Sequence, residues 1–171
     1  MKIIFIGQTG ITPLGDLWVA VSENGLIAVE FPINQTEFSI LLQKRHAASV
    51  EFAPQKVVEI VTQLQEYAAG ARKEFNLQID WSVLREFQRQ VLLATFRIPF
   101  GEVRTYQEVG ISIGKPRSAR AVGRAEATNP MPVILPCHRV IGSDGKLHGY
   151  GAGDSLHTKT LLLKLEGVDI A

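Results

Sequence analysis

The sequence changes character near Trp81, and this change limits the folds that the chain can adopt. Before this point, three segments are rich in Ile, Val, Phe and Trp: residues 2–7, 15–22 and 26–31. Such segments are typical of β-strands. The pair Asn24-Gly25 stands between the last two, and Asn-Gly is a strong signal for a tight hairpin turn. The first part of the chain is therefore predicted to contain a β-sheet.

Helical spacing of apolar side chains follows in residues 36–47 and 56–69, and helical segments dominate after Trp81. The pattern predicts an α+β fold in two parts. A small N-terminal domain of β-sheet and helix covers residues 1–80. A mainly helical domain, with a helix-turn-helix and a cysteine-bearing segment, covers residues 81–171.

The predicted helix-turn-helix consists of two short helices around a tight turn. Thr105 can cap the first helix, which runs to about Ile113, and the Ser118 hydroxyl can cap the second, at residues 119–127. Gly110 is expected to loosen the first helix by up to about 1 kcal/mol relative to Ala. The second helix is rich in Ala and Gly. It can approach another surface closely while its arginines contact phosphates, or its small residues can pack on a neighbouring helix; residue types leave both open.

Charge is unevenly distributed along the chain. Residues 1–80 carry six basic and nine acidic side chains, whereas residues 85–124 carry eight basic and three acidic ones. A basic middle is compatible with a phosphate-facing surface, although a solvated helix face has a similar composition. One cysteine excludes an internal disulfide and a zinc site of several cysteines, so no metal is expected. The apolar run at residues 3–6 is too short for a signal peptide, and membrane association is not expected.

Cys137 is the only cysteine of the chain, and His138 follows it between two apolar runs. A buried and inert cysteine is one reading, since free cysteine is among the most buried residue types. A nucleophile is the other, because a thiol attacks as its thiolate and a nearby histidine can supply the base. Adjacent residues of an extended strand point to opposite faces, so a contact through water at a turn is favoured over the direct pair of a cysteine hydrolase.

A glycine-rich loop follows at residues 142–153. Its backbone can closely approach a flat ligand, although a flexible surface loop has the same composition. It lacks the glycine pattern of a phosphate-binding loop.

Six strings of residues occur together in an order that resembles one known family. They are Ile98-Pro-Phe-Gly-Glu-Val-Arg-Thr-Tyr106, Ala119-Arg-Ala-Val-Gly123, Asn129-Pro130, Pro136-Cys-His-Arg-Val140, Gly149-Tyr150 and Glu166-Gly167. Over about residues 81–167 the chain resembles the O6-alkylguanine-DNA alkyltransferases, also called methylated-DNA–protein-cysteine methyltransferases. The first domain fits by position only, and the resemblance implies a ribonuclease-H-like fold for it.

This resemblance implies repair of DNA by transfer of an alkyl group from O6 of guanine, and also from O4 of thymine, to a protein cysteine without a cofactor. Cys137 would be the nucleophile and permanent acceptor, so that each molecule acts once. His138 would be the base through a water, and Glu166 would orient its ring. Asn129 would hold the turn before the cysteine, and Tyr106 would donate a hydrogen bond or a proton to the guanine.

The resemblance also implies how DNA is bound. The target nucleotide must be flipped out of the duplex, and Arg120 would fill the space in the stack. The helix at residues 119–127 would lie in the minor groove, with Ala119, Ala121 and Gly123 against the DNA. Backbone groups at Cys137 and Val140 would contact the flipped base. Further contacts to the base are implied for Tyr150, Gly151 and Lys159. Contacts to the DNA backbone are implied for Gln88, Gln107, Lys115 and Ser143.

Two other classes of function are alternatives to alkyl transfer. A sensor that binds alkylated DNA without reacting would lack the cysteine, and a transcriptional helix-turn-helix would need base-reading polar side chains in its second helix. Glu126 departs from the family pattern, where a neutral residue is usual, and an acid at this place is expected to repel phosphates and weaken DNA binding. A monomer that acts in the cytoplasm, or at the nucleoid of a bacterium, is expected.

Overall fold

The computed structural model describes residues 2–148, 153 and 155–170. The chain forms two compact units, residues 1–83 and residues 84–171. None of the helices in these described ranges is long and apolar enough to cross a membrane.

The first unit contains a four-stranded sheet and two helices. They are β1 (Ile3–Thr12), β2 (Gly15–Ser22), β3 (Gly25–Glu30), α1 (Gln35–His46), β4 (Ser49–Phe52) and α2 (Val58–Ala68). The order in the sheet is β3-β2-β1-β4, with β1, β2 and β3 antiparallel and β4 parallel to β1. The hairpin predicted at Asn24-Gly25 joins β2 and β3. The core of this unit includes Trp18 and Phe38, whose rings lie 5.9 Å apart.

The second unit is mainly helical and contains one very short sheet. Its elements are α3 (Glu86–Phe96), β5 (Arg104–Thr105), α4 (Tyr106–Ser112), α5 (Ala119–Ala127), β6 (Val140–Ile141) and α6 (Ser155–Leu165). Its core joins side chains of α3, α4, α5 and β6, which are Val91, Val109, Val122, Ala125 and Val140. The predicted α+β class and the helix-turn-helix of α4 and α5 are confirmed.

Thr105 links the short sheet to the helix-turn-helix. It pairs with Ile141 in the parallel β5–β6 ladder. Its hydroxyl accepts a hydrogen bond from the amide of Glu108 at 3.0 Å, and the Glu108 carboxylate accepts one from the Thr105 amide at 2.7 Å. This reciprocal capping box fixes the start of α4 directly beside β6.

Two expectations about the turn between α4 and α5 were wrong. The Ser118 hydroxyl does not cap α5; it donates to the carbonyl oxygen of Lys115 at 2.6 Å and so closes the turn instead. Gly110 is a requirement rather than a weakness, because a Cβ there would lie 2.9 Å from both that carbonyl oxygen and the Ser118 hydroxyl. The tight turn passes over a helix position that has no room for a side chain.

Candidate active site

Cys137 begins a buried turn that β6 continues. Residues Cys137–Arg139 form a single 3-10 turn, and each of the three residues is at most 6% exposed. The turn follows an apolar run in which Val133 has a φ of 74°, a strained value for a β-branched residue. Packing on both sides thus fixes the backbone that presents the sulfur.

Asn129 connects the end of the helix-turn-helix to the sulfur. Its side-chain amide accepts from the Met131 amide at 2.9 Å and donates to the Leu135 carbonyl oxygen at 2.8 Å. The same amide nitrogen lies 3.1 Å from Sγ of Cys137. One side chain therefore holds the turn before the cysteine and also directs an N–H group at the sulfur, where it stabilises negative charge.

His138 and Glu166 form a fully buried pair. Nε2 of His138 lies 2.8 Å from Oε1 of Glu166, and both side chains are 0% exposed. Burial alone would raise the pKa of Glu166, but the hydrogen bonds and charges of His138 and Arg139 outweigh it and hold that pKa well below its ordinary value. The carboxylate can only accept, so Nε2 of His138 carries the hydrogen of this bond.

The other ring nitrogen of His138 is therefore a candidate base. Burial lowers the pKa of His138, and Arg139 lowers it further, against the opposing effect of Glu166. The ring is then neutral, and its Nδ1 carries a lone pair. Nδ1 is buried and has no hydrogen-bond partner among the residues that the structure describes.

Arg139 lies in the Pro136–Val140 string, but the sequence assigns it no role. Its guanidinium donates to both carboxylate oxygens of Glu166, at 2.9 Å from Nε and 2.8 Å from Nη2. A third bond runs from Nη1 to the carbonyl oxygen of Ile98 at 2.6 Å. The only sequence signal for this role was the presence of a charged residue within an apolar run. Arg139 fixes Glu166, and through it the orientation of the His138 ring.

Lys159 and Tyr106 form a second group of polar side chains, next to Val140 at the end of this turn. The ammonium of Lys159 is buried and donates to the Val140 carbonyl oxygen at 2.7 Å, with longer contacts of 3.4 Å to the Tyr106 hydroxyl and the His148 carbonyl oxygen. Burial lowers the pKa of Lys159. Burial, together with Glu126 and Cys137, raises the pKa of Tyr106 to about 12. Tyr106 consequently keeps its proton and is available as a hydrogen-bond donor.

The exposed face of α5 carries small side chains and Arg120. Ala119 and Arg120 are exposed, Ala121 and Gly123 are half-buried, and Val122 faces the core. Beside this helix lies a cleft of about 830 Å³, lined by predicted site residues and their neighbours. The predicted residues among its lining are Tyr106, Gln107, Ala119, Arg120 and Ser143.

Four further residues were predicted to contact DNA or the flipped base: Gln88, Lys115, Tyr150 and Gly151. The Gln88 amide donates to the Thr128 carbonyl and hydroxyl oxygens, at 3.1 and 3.0 Å, so it supports the end of α5. Lys115 is exposed, and its ammonium lies 5.0 Å from the centre of the Phe87 ring. Tyr150 and Gly151 lie outside the described residues.

The expectation for Glu126 was wrong. This side chain is 4% exposed and contacts the Thr95 hydroxyl in the core, so it does not face phosphates. Burial raises its pKa to about 8, although the positive charge of Lys159 opposes this.

Comparison with known proteins decides the family. Residues 86–168 match the DNA binding domain of 6-O-methylguanine DNA methyltransferases, and residues 9–81 match the ribonuclease-like domain of the same proteins. The chain belongs to the 6-O-methylguanine DNA methyltransferase family. The methylated-DNA–protein-cysteine methyltransferase of Methanosarcina barkeri is 41% identical over 157 residues, which are 91% of this chain and 92% of that one. The constitutive protein of Bacillus subtilis with this name is 36% identical over 94% of both chains.

Solved structures of this methyltransferase family share the fold. Mycobacterium tuberculosis OGT in complex with DNA superposes with a TM-score of 0.75 at 35% identity, covering 96% of this chain and 92% of that one. The O6-methylguanine-DNA methyltransferase of Pyrococcus kodakaraensis has a TM-score of 0.64 at 23% identity and supports the fold alone.

Proposed function

We propose that this protein repairs DNA by transferring an alkyl group from O6 of guanine to Cys137. The observation that carries the proposal is the environment of the Cys137 sulfur. The amide nitrogen of Asn129 lies 3.1 Å from the sulfur, and the next residue, His138, is buried and hydrogen-bonded to the carboxylate of Glu166. Relatives over almost the whole chain carry the name methylated-DNA–protein-cysteine methyltransferase. The Mycobacterium tuberculosis protein was crystallised with DNA, which supports DNA as the partner here.

The first step is removal of the thiol proton. A bridging water passes the proton of Cys137 to Nδ1 of His138, which is the buried lone pair without a described partner. The positive charge that forms on the ring is stabilised by Glu166 at 2.8 Å. Arg139 keeps Glu166 ionised and in place for this task.

The second step is the transfer itself. The sulfur forms a bond to the alkyl carbon while the bond from that carbon to O6 breaks, and the electron pair stays on the guanine. Tyr106 donates a hydrogen bond to the departing base, which makes the base a better leaving group. Its high pKa, about 12, favours a hydrogen bond over full loss of the proton. The carbonyl oxygen of Val140, which already accepts from Lys159, contributes to holding the base.

DNA binding follows from the surface of α5. The cysteine is 4% exposed, so a base inside a duplex cannot reach it without leaving the stack. Arg120 occupies the space that the base leaves, while Ala119, Ala121 and Gly123 let α5 enter the minor groove. Exposed side chains around the cleft contact the DNA backbone, namely Gln107, Lys115 and Ser143. A contact from Gln88 stays a prediction, because its amide holds α5.

The thioether that forms is stable, so one protein molecule accepts one alkyl group. The proposal extends to O4-alkylthymine, whose oxygen is similarly attached to a flat ring. The protein acts without a cofactor, as a monomer, in the cytoplasm or at the nucleoid of its cell.

Mass spectrometry tests the proposal. The protein is mixed with a duplex that contains one O6-methylguanine, and intact mass and peptide mapping follow. One added methyl group per molecule, on Cys137, is expected, and none in Cys137→Ala, which should still bind the duplex. No gain in mass with DNA still bound would move the function to a lesion sensor. Arg120→Ala should slow transfer from duplex DNA much more than transfer from a free O6-alkylguanine base; equal losses would contradict the stack-filling role.

A further inference from the structure

Glu126 is a buried acid that the proposed mechanism does not use. It lies in α5 at 4% exposure, and no cation lies within ion-pair distance of it among the residues that the structure describes. Its Oε1 contacts the hydroxyl of Thr95 on α3. Its Oε2 is buried and has no hydrogen-bond partner in the described part of the chain. Ionising the carboxyl group in this place would cost free energy, because its two buried oxygens would have one hydroxyl group, that of Thr95, to solvate their charge.

The hydrogen-bond partners of the Thr95 hydroxyl identify the protonation state of Glu126. The Thr95 hydroxyl has one hydrogen, and its oxygen lies 2.9 Å from the Val91 carbonyl oxygen, which can only accept. The same hydroxyl oxygen contacts Oε1 of Glu126. Both contacts are hydrogen bonds only if the carboxyl group supplies the second hydrogen. Glu126 is therefore a neutral acid that donates to Thr95, and Thr95 donates to Val91. The raised pKa of Glu126, about 8, agrees with this assignment.

The charged and titratable groups near Glu126 belong to the reaction site. Tyr106 on α4 and Lys159 on α6 both interact electrostatically with Glu126 and with Cys137, and the Lys159 ammonium lies 3.4 Å from the Tyr106 hydroxyl. With Glu126 neutral, the positive charge of Lys159 is not shared with a second negative group and stabilises the Cys137 thiolate. With Glu126 ionised, the same cation is shared between two negative groups, and the thiolate loses stabilisation.

We propose that Glu126 is a positioning residue of the alkyl-transfer site, which in its neutral form holds α5 on α3 through Thr95 and leaves the charge of Lys159 to the Cys137 thiolate. This inference rests on the proposed function. Its consequence is an upper pH limit for repair, set by a residue that does not touch the substrate. Ionisation of Glu126 breaks the hydrogen bond that it donates from α5 to Thr95 on α3, and adds a negative charge near the sulfur.

Single-turnover rates of methyl transfer from a duplex with one O6-methylguanine, measured from pH 6 to pH 9.5, test the inference. The matched variant is Glu126→Gln, whose amide can still donate to Thr95 but cannot ionise. The wild-type rate should fall above about pH 8, by up to about tenfold per pH unit as the neutral fraction declines. The rate of Glu126→Gln should lack this fall. Glu126→Met, apolar and of similar length, should lack it too, and it serves if the amide variant folds poorly.

The outcomes separate this inference from the function on which it rests. Full wild-type transfer, with the same alkaline fall in Glu126→Gln as in the wild type, overturns the inference alone. A loss by one constant factor at every pH, with the fall retained, shows a merely structural role and overturns it as well. A wild-type protein that transfers no methyl group at any pH overturns the proposed function, and the inference with it.

Discussion

Replacing Arg139 by Met should destabilise the protein strongly, because it leaves a buried carboxylate with fewer partners. The guanidinium makes bonds of 2.9 and 2.8 Å to Glu166 and one of 2.6 Å to the Ile98 carbonyl oxygen, and the two charged side chains are 7% and 0% exposed. In Arg139→Met the carboxylate keeps its bonds to His138 and the Gly101 amide but loses the guanidinium, which is its cationic partner. Removing one partner of such a pair costs about 3–5 kcal/mol. For a chain of this length, that lowers the melting temperature by roughly 6–20 °C.

The same change should alter the pH dependence of transfer. The positive charge of Arg139 lowers the pKa of His138, whereas Glu166 raises it. Without the arginine the pKa of His138 rises, so more of the imidazole is protonated and fewer molecules have a base. The transfer rate should fall more at pH 6 than at pH 8, measured in single turnovers at a temperature well below melting.

An exposed arginine offers the matched control. Arg104 pairs with Glu102 at 2.8 Å, but these side chains are 42% and 50% exposed, and such pairs contribute at most about 1 kcal/mol. Calorimetric melting of Arg104→Met should therefore stay close to the wild type. If Arg139→Met melts within 1 °C of Arg104→Met, the assignment of Arg139 as the support of Glu166 is refuted.

Three further predictions concern α4, the turn before the cysteine and α5. Gly110→Ala should lower the melting temperature, because the strain of a Cβ at 2.9 Å from the Ser118 hydroxyl, about 1–3 kcal/mol, exceeds the helix-propensity gain of about 1 kcal/mol; a higher melting temperature would contradict this. Asn129→Asp should slow transfer at least about tenfold in single turnovers, since an acceptor oxygen replaces the N–H group at 3.1 Å from the Cys137 sulfur; an unchanged rate would exclude this amide as a support of the thiolate. Burial raises the pKa of Glu126 from 4.5 to about 8 in the folded state. The protonated side chain therefore makes its full contribution to the free energy of unfolding below pH 4.5, and between pH 4.5 and about 8 this contribution falls by up to about 1.4 kcal/mol per pH unit. Urea unfolding should therefore show that Glu126→Gln gains stability over the wild type as pH rises from 5 to 8, and a constant difference would contradict the buried neutral acid.

Features set by local sequence were predicted well. The capping signal at Thr105 and the composition of residues 119–127 gave the ends of α4 and α5 closely, because helix ends depend on nearby side chains. The strand β4, at Ser49–Phe52, was not predicted. It has four residues, and it is a strand only because β1 offers a parallel partner, which local propensity does not report.

The errors within the site have a different origin. Glu126 stands four residues after Val122, on the same face of α5, so the helical period alone would have directed it to the core. Its charge argues for exposure in the sequence, and the protonated form becomes favourable only through burial in the folded protein. The partner of Arg139 lies 27 residues away in sequence, at Glu166, so no local pattern could reveal that pair. The close approach at Gly110 likewise exists only in the folded turn.

Thr105 belongs to two elements at once, since it pairs with Ile141 and also caps α4. The strand that follows the Cys137 turn therefore cannot separate from α4 and α5, the helix pair proposed to bind DNA, unless the cap of α4 breaks as well. In hydrogen exchange, the first amides of α4 and those of β5 and β6 should open together as one cooperative unit. If the protein binds DNA as proposed, the cysteine moves together with the DNA-binding surface as one rigid body. Recognition of a lesion and presentation of the sulfur then need no separate conformational signal between them.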